Sequence, residues 1–201
     1  LANVTYSKGM AFFYLGSYDS SLFYWNKAID LFTRQGNDKR VGDCLQNIGQ
    51  IYELNGNYIT ANENYQKSLK IFEKLNLYDR AANTLNIIGS LNNLLENFTI
   101  AESYFTRALT IYSQLIRQTP INKYVLLGYG VTHNNLGMVK SRKHDYSSAI
   151  SYFEKAEQSF REIPDTFYLA FVLHNLGAVY SETGKFEQSE KYFHESEKYN
   201  Q

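Results

Sequence analysis

The sequence predicts an all-α protein, a solenoid built from tandem helical repeats, and three observations lead to that prediction. One residue pattern recurs around five glycines along the 201 residues. Between short polar interruptions, apolar residues follow the three- and four-residue spacing of amphipathic helices. The chain contains two prolines, and because a proline costs a helix interior about 3 kcal/mol, such scarcity favours long helices.

The repeat is marked by glycines spaced 40, 40, 48 and 40 residues apart. These glycines are Gly9, Gly49, Gly89, Gly137 and Gly177. At fixed distances after each one come an aromatic residue, a small residue and a second aromatic residue, which in the first copy are Tyr18, Ser21 and Trp25. Self-similarity at such a period indicates stacked units that bury one another's apolar faces.

Each copy is expected to hold two helices joined by a tight turn, which gives ten helices. The turns are predicted near residues 16–17, 55–57, 96–97, 144–145 and 183–185. The predicted repeats cover residues 2–37, 42–77, 82–118, 121–164 and 165–201, as a single array over residues 1–201. The segment begins at Leu1 and ends still in helical pattern, so we read it as a piece of a longer protein.

The fourth repeat carries an insertion, since its glycine follows the third after 48 residues instead of 40. Pro120 is expected to end the preceding helix, and residues 121–129 to extend the next one at its N-terminus. Gly128 and Gly130 would each cost that extension about 1 kcal/mol. We expect a plain longer helix there, and a bend or a contact ridge is the alternative.

The repeat pattern resembles the tetratricopeptide repeat. The clearest copy runs from Leu176-Gly177 through Tyr180 to Gly184-Lys185-Phe186. The 40-residue period is similar to the variant in kinesin light chains and in spindle-orientation adaptors that bind G-protein α subunits. This resemblance implies a right-handed superhelical solenoid of five tandem helix-turn-helix repeats, whose first helices line a concave groove that holds a protein or peptide.

Three single residues carry further expectations. Lys8 stands where the other copies have Ile or Leu before the glycine, and because a core lysine is costly, we expect it at the exposed start of the array. Cys44 is predicted to be a small core residue. Asp145, in the turn after His144, is predicted to cap the next helix.

Composition argues against several classes of function. Twenty basic and 20 acidic residues cancel, so the concentrated basic surface typical of nucleic-acid and anionic-membrane binding is not expected. No apolar run approaches the roughly 20 residues that span a bilayer. The four histidines lack metal-like spacing, and no catalytic motif occurs. We therefore expect a cytoplasmic protein that is not an enzyme and has no catalytic residue, metal or cofactor.

The candidate binding surface follows from placing the first helix of each repeat at 100° per residue. An arc of thirty positions faces away from the packing residues, and ten of them are Asn or Gln, compared with 18 of the other 171 residues. A primary amide both donates and accepts hydrogen bonds, as a peptide backbone does. The candidate peptide-binding residues are Gln46, Asn47, Gln50, Asn83, Asn86, Asn93, Asn134, Asn135, His174 and Asn175. A merely solvated face is the alternative.

Three of these asparagines stand two residues before their glycines: Asn47, Asn135 and Asn175. The resemblance implies that they hold peptide backbone, because tetratricopeptide domains commonly use an asparagine at that place. Ile87 breaks the series in the third repeat.

An apolar patch on the first helix is a candidate side-chain pocket, and packing against a preceding segment is its alternative. Its members are Tyr6, Met10, Phe13 and Tyr14. The family's chaperone-tail receptors grip a terminal carboxylate with groove lysines and an arginine. The corresponding places here are Tyr6, Met10, Asn47, Asn83 and Ile87, which argues against such a clamp.

The sequence thus predicts a protein–protein interaction scaffold that binds an extended peptide or protein segment in an Asn-rich groove. The alternative is a regulatory sensor or oligomerisation module of a larger bacterial-type signalling or transcription-regulatory protein. Self-association through the terminal repeats is a third hypothesis. Nucleic acid and membrane are not expected partners.

Overall fold

The computed structural model describes residues 1–118, 122–163 and 166–199, and helices are the regular secondary structure within those ranges. The helices are α1 (Ala2–Tyr14), α2 (Tyr18–Arg34), α3 (Asp38–Leu54), α4 (Tyr58–Lys74), α5 (Tyr78–Leu94), α6 (Phe98–Gln118), α7 (Lys123–Arg142), α8 (Tyr146–Arg161), α9 (Thr166–Glu182) and α10 (Phe186–Glu197). The all-α prediction is confirmed. Within the described ranges, no helix is both long enough and apolar enough to span a bilayer.

The second helix of every pair begins at the aromatic residue that the repeat pattern marked. These residues are Tyr18, Tyr58, Phe98, Tyr146 and Phe186. The residue two places earlier adopts a positive φ in each turn, for example 74° at Gly56, which glycine takes without steric cost. The predicted cap is confirmed, because the Asp145 side chain accepts a hydrogen bond from the Ser148 backbone N–H.

The chain divides into two compact units, Leu1–Leu91 and Asn92–Gln201, each described by itself below. In unit 1, α1 packs on α2, α2 on α3, and α3 on α4. In unit 2, α6 packs on α7, α7 on α8, α8 on α9, and α9 on α10. Each unit therefore buries the apolar stripes of its own helices against sequential neighbours.

The unit 1 core shows why the marker glycines recur. A Cβ atom at Gly9 would lie 2.5 Å from the Trp25 ring, and one at Gly49 would lie 2.6 Å from the Tyr65 ring. The paired helices therefore approach so closely that a hydrogen is the largest side chain these positions accept. Cys44 is fully buried in this core, as predicted. Lys8 is exposed, also as predicted, with its Nζ 5.8 Å from the centre of the Tyr24 ring.

Unit 2 repeats this arrangement, with Gly137 against Phe153 and Gly177 against Phe193. Its core cluster consists of Ala149, Phe153, Ala156, Phe160, Leu169, Val172, Leu173, Leu176 and Val179. Serine hydroxyls add buried ties between helices, such as Ser196 Oγ donating to the Ala170 carbonyl over 2.8 Å. The same tie occurs in unit 1, where Ser68 Oγ donates to the Gly42 carbonyl over 2.9 Å.

The insertion before the fourth repeat makes α7 a 20-residue helix, with Asn122 capping its start. A Cβ at Gly128 would clash with the Tyr112 ring of α6, and one at Gly130 would lie 2.6 Å from the Phe160 ring of α8. The two glycines that weaken helix propensity therefore make room for aromatic rings on neighbouring helices. The predicted helix end at Pro120 and the first residue of the predicted extension, Ile121, lie outside the described residues.

Candidate functional site

The predicted amide residues lie on the first helices of the pairs, and we call those within each unit its amide face. The unit 1 amide face consists of Gln46, Asn47 and Gln50 on α3 with Asn83 and Asn86 on α5. The unit 2 amide face consists of Asn93 at the end of α5, Asn134 and Asn135 on α7, and His174 and Asn175 on α9.

The structure separates these residues by exposure. Gln50, Asn83 and His174 are exposed, whereas Gln46, Asn47, Asn93, Asn135 and Asn175 are half-buried. Asn86 and Asn134 are only 6% and 5% exposed, although the 100° placement had them on the outward arc. These two amides therefore have little surface for a ligand.

Asn47 is fixed by the preceding first helix. Its Nδ2 donates to the Tyr6 hydroxyl over 3.0 Å and lies 3.6 Å from the Met10 sulfur. Both contacts use the amide nitrogen, so they leave the Oδ1 oxygen available as an acceptor. Asn47 therefore presents a positioned acceptor, and it also ties α3 to α1.

Asn175 repeats this arrangement in unit 2. Its Nδ2 donates to Asn134 Oδ1 over 2.8 Å, and Asn134 Nδ2 lies 3.6 Å from the Met138 sulfur. In both units the donor stands two residues before the glycine of its own repeat. The acceptor stands three residues before the glycine of the preceding repeat. We call this contact a rung. The residue pattern predicted asparagines that face a ligand. It did not reveal that the amide nitrogens of Asn47 and Asn175 are already hydrogen-bonded to a neighbouring helix.

The third repeat, where Ile87 interrupts the asparagine series, is tied to α3 differently. The Thr84 hydroxyl donates a hydrogen bond to Gln46 Oε1 over 3.2 Å. Arg80 Nη1 lies 3.2 Å from Asp43 Oδ1. Polar contacts therefore still join the two first helices. They are shifted toward the helix N-termini by comparison with the rungs.

Asp43 is the centre of an ion cluster that the sequence pattern did not reveal. Arg40 Nη1 lies 3.3 Å from its other carboxylate oxygen, and the Asp43 side chain is only 7% exposed. The Arg40 guanidinium also lies 4.8 Å from the centre of the Tyr6 ring. The signal in the sequence is that both arginines stand nine residues before a repeat glycine, just outside the arc of thirty positions.

The apolar patch on α1 lies partly in the unit 1 core. Tyr6, Met10 and Phe13 are half-buried, and Phe13 packs 5.8 Å from the Trp25 ring, centre to centre. Burial raises the pKa of the Tyr6 hydroxyl, so this group stays protonated at neutral pH. Tyr14 differs from the other three, because it is 77% exposed.

The described ranges contain no group of three or more His, Cys, Asp or Glu side chains arranged to hold a metal ion. What the geometry offers instead is fixed hydrogen-bonding groups on helix faces. Amide oxygens held by rungs can accept from backbone N–H groups, and the arginines of the ion cluster can donate to anionic groups.

Comparisons with known proteins agree with this architecture. A tetratricopeptide repeat family model matches residues 1–74 and 129–199. No curated protein sequence matches the chain.

Solved structures share the fold at low sequence identity. BtubC (BKLC) from P. vanneervenii has a TM-score of 0.80 at 21% identity, over 96% of this chain and 76% of that one. A Rap protein complexed with competence and sporulation factor has a TM-score of 0.78 at 18% identity, over 97% of this chain and 52% of that one. The nearly identical TPR-like repeats of a putative kinesin light chain from Podosopora anserina have a TM-score of 0.73 at 9% identity, over 98% of this chain and 93% of that one.

Proposed function

Because this chain belongs to the tetratricopeptide repeat family, whose fold is generally a non-catalytic scaffold, we propose that each amide face can bind an extended peptide or protein segment. The observation that carries the proposal is the rung. Asn47 and Asn175 are held through Nδ2 by a neighbouring helix, and each retains an Oδ1 acceptor.

Holding the amides in advance favours binding energetically. Ordering a free, rotamer-rich side chain costs about 0.5–1.5 kcal/mol on association, which is as much as one neutral hydrogen bond contributes. An amide already fixed by a rung avoids much of that cost, because folding has already ordered it. Each acceptor can therefore add net affinity for a backbone N–H.

Backbone contacts alone do not account for useful affinity. Micromolar binding requires about −8 kcal/mol. Several neutral hydrogen bonds to the peptide backbone reach this value only if ligand side chains also contribute binding energy. Tyr14 offers exposed apolar surface beside the unit 1 amide face, on α1. Phe167 and Phe171 offer it on α9, one turn apart and 70% and 44% exposed. A segment with apolar residues near its backbone contacts would fit these surfaces.

A regulatory module of a larger protein is the second candidate, and the similarity to Rap proteins favours it. This chain spans 52% of a Rap protein that was solved in complex with competence and sporulation factor. It also spans 49% of aspartyl phosphate phosphatase F from Bacillus subtilis, at a TM-score of 0.81. In this role, segment binding by the repeats would control activity elsewhere in the longer protein.

Peptide display tests the proposal. A random dodecapeptide library would be panned on the wild-type protein and on Asn47→Ala/Asn175→Ala, which removes the donor amide of each rung. The control Asn26→Ala/Gln188→Ala removes one exposed amide from a second helix of each unit. We expect motifs that enrich on the wild type and the control and are lost on the folded rung variant.

Two results would count against amide-face binding. One is a motif that enriches equally on the rung variant, which would place the binding site elsewhere. The other is no enrichment on any protein, which would reject short extended segments as ligands. Light scattering at several protein concentrations, measured on the same samples, would then show whether the partner is a second copy of this chain.

A further inference from the structure

The ion cluster borders the unit 1 amide face. We propose that the bound segment carries an acidic side chain, Asp or Glu, that seats against Arg40 and Arg80. This inference deepens the proposed function and rests on it. It adds the chemical class of one ligand side chain and the residues that select it.

The first step is that the two arginines keep hydrogen-bonding capacity. Each contacts Asp43 through Nη1, at 3.3 Å from Arg40 and 3.2 Å from Arg80. A guanidinium has five N–H donors in a planar fork suited to carboxylates. The side chains are 36% and 44% exposed, so solvent reaches a substantial part of both. An incoming carboxylate can therefore meet donors that Asp43 does not use.

The second step is the local charge. One buried carboxylate between two guanidinium groups leaves a net charge of +1 on the cluster. The chain neighbours Lys39 and Asp79 carry opposite charges and cancel each other. At 100° per residue, Asp38 lies about 160° around α3 from Arg40. This edge of the face is therefore complementary to a single acidic side chain.

The third step is that the cluster is held rigidly and joins the rung. Arg40 lies between the Tyr6 ring, at 4.8 Å, and the Asp43 carboxylate. The Tyr6 hydroxyl in turn accepts from Asn47 Nδ2. A chain of direct contacts thus connects the proposed anion seat to the amide that would bind backbone. Both parts of the recognition surface are positioned before a ligand arrives.

This placement also explains the shift of contacts in the third repeat. Where Ile87 removes the rung, Arg80 supplies the link to α3 and adds a positive group at the edge of the face. The cluster is distinct from the terminal-carboxylate clamp that the sequence argued against, because the places of that clamp, such as Asn47 and Asn83, lie on the outward arc of the helices. The anion seat lies one turn earlier on α3 and α5.

The test uses dodecapeptides selected by display on the wild-type protein, followed by fluorescence polarisation with the synthesised peptides. We expect Asp or Glu to be enriched at one position of the selected motif. Replacing that residue by Asn or Gln in the peptide should weaken binding by about tenfold to a hundredfold, as expected for charged hydrogen bonds. This peptide-side substitution needs no change in the protein.

On the protein side, Arg40→Gln/Asp43→Asn/Arg80→Gln replaces the cluster with neutral side chains of similar shape and leaves no buried carboxylate unpaired. We expect the same loss of affinity, and no further loss with the Gln or Asn peptide. Lys67→Gln is the charge-matched control, because it also lowers the net charge by one, at an exposed site on α4. It should bind both peptides as the wild type does.

The outcomes separate the two proposals. A motif that enriches without an acidic residue, or an acidic residue whose removal weakens binding equally in the triple variant, would overturn the anion seat and leave amide-face binding standing. Absence of any enriched peptide on the wild type would overturn both. Loss of affinity with Lys67→Gln equal to that of the triple variant would show a general charge effect and would also reject the seat.

Discussion

Lowering the pH from 7.5 to 5 should weaken unit 2 through His133 on α7. This imidazole is only 2% exposed, and both ring nitrogens are buried without a hydrogen-bond partner among the described residues. Its ring lies 4.4 Å from that of Tyr129 and 5.8 Å from that of Tyr152 on α8, centre to centre. Leu45, Leu85 and Leu173 occupy the equivalent places of other repeats, so His133 occupies an apolar packing position.

Burial, aided by the positive charge of Lys155, lowers the pKa of His133 from its usual 6.5 to about 4. A histidine with a depressed folded-state pKa favours the neutral form. Its contribution to stability is therefore fully present above pH 6.5 and is lost as the pH falls toward 4. At pH 5 the unfolded chain is mostly protonated at this residue and the folded chain is mostly not. Linkage between these two pKa values gives a loss of about 2 kcal/mol at pH 5 and almost none at pH 7.5.

The assay is urea denaturation at both pH values for the wild type and His133→Leu, which introduces the leucine found at this place in the second, third and fifth repeats. The wild type should lose about 2 kcal/mol more than the variant on acidification, because the carboxylates titrate in both proteins and cancel in the comparison. His194→Gln, at an exposed histidine of α10, is the control and should behave as the wild type. Equal losses for the wild type and His133→Leu would refute the buried neutral imidazole.

Three further outcomes follow from the packing. Gly49→Ala should lower the free energy of unfolding by about 1–3 kcal/mol, because its Cβ would meet the Tyr65 ring at 2.6 Å; a melting curve that matches the wild type would contradict that contact. Burial raises the pKa of the Cys44 thiol to about 12, so thiol reagents at pH 8 should label it at the rate of unfolding, and rapid labelling of the folded protein would show an accessible thiolate. Asn47→Ala should cost about 0.5–1.5 kcal/mol of stability through the lost bond to Tyr6; an unchanged melting temperature would show that the rung contributes nothing to folding.

The helix boundaries could be predicted because they depend on local signals. A turn residue two places before Tyr58 or Phe186, together with an aromatic that begins the next helix, recurs at a fixed offset from each glycine. The same periodicity paired Gly49 with Tyr65, since both belong to one repeat and their offset is constant. Features that repeat within one copy are therefore visible in the sequence alone.

The contacts between copies were harder to predict. Asn47 and Tyr6 are 41 residues apart, and whether they bond depends on the side-chain rotamers and on the angle between two first helices. A placement at 100° per residue treats each helix as isolated, so it put Asn134 on the outward arc although the structure buries it. It also left out Arg40 and Arg80, which lie one turn before the first arc positions of α3 and α5. The two arginines occupy the same angular position on their helices, because each stands nine residues before its glycine.

The rung and the proposed ligand contact are two roles of the asparagines that can be separated experimentally. If Asn47 served only to tie α3 to α1, a donor of similar size would suffice and the amide oxygen would be unnecessary. If it served only a ligand, its nitrogen would not need the Tyr6 hydroxyl. In the observed geometry the Asn47 nitrogen donates within the fold, and the Oδ1 oxygen remains available as an acceptor. Asn175 does the same with a different acceptor. Because Tyr6 and Asn134 share little chemistry beyond accepting a hydrogen bond, the common element is the positioned amide, which is the part that a peptide backbone would meet.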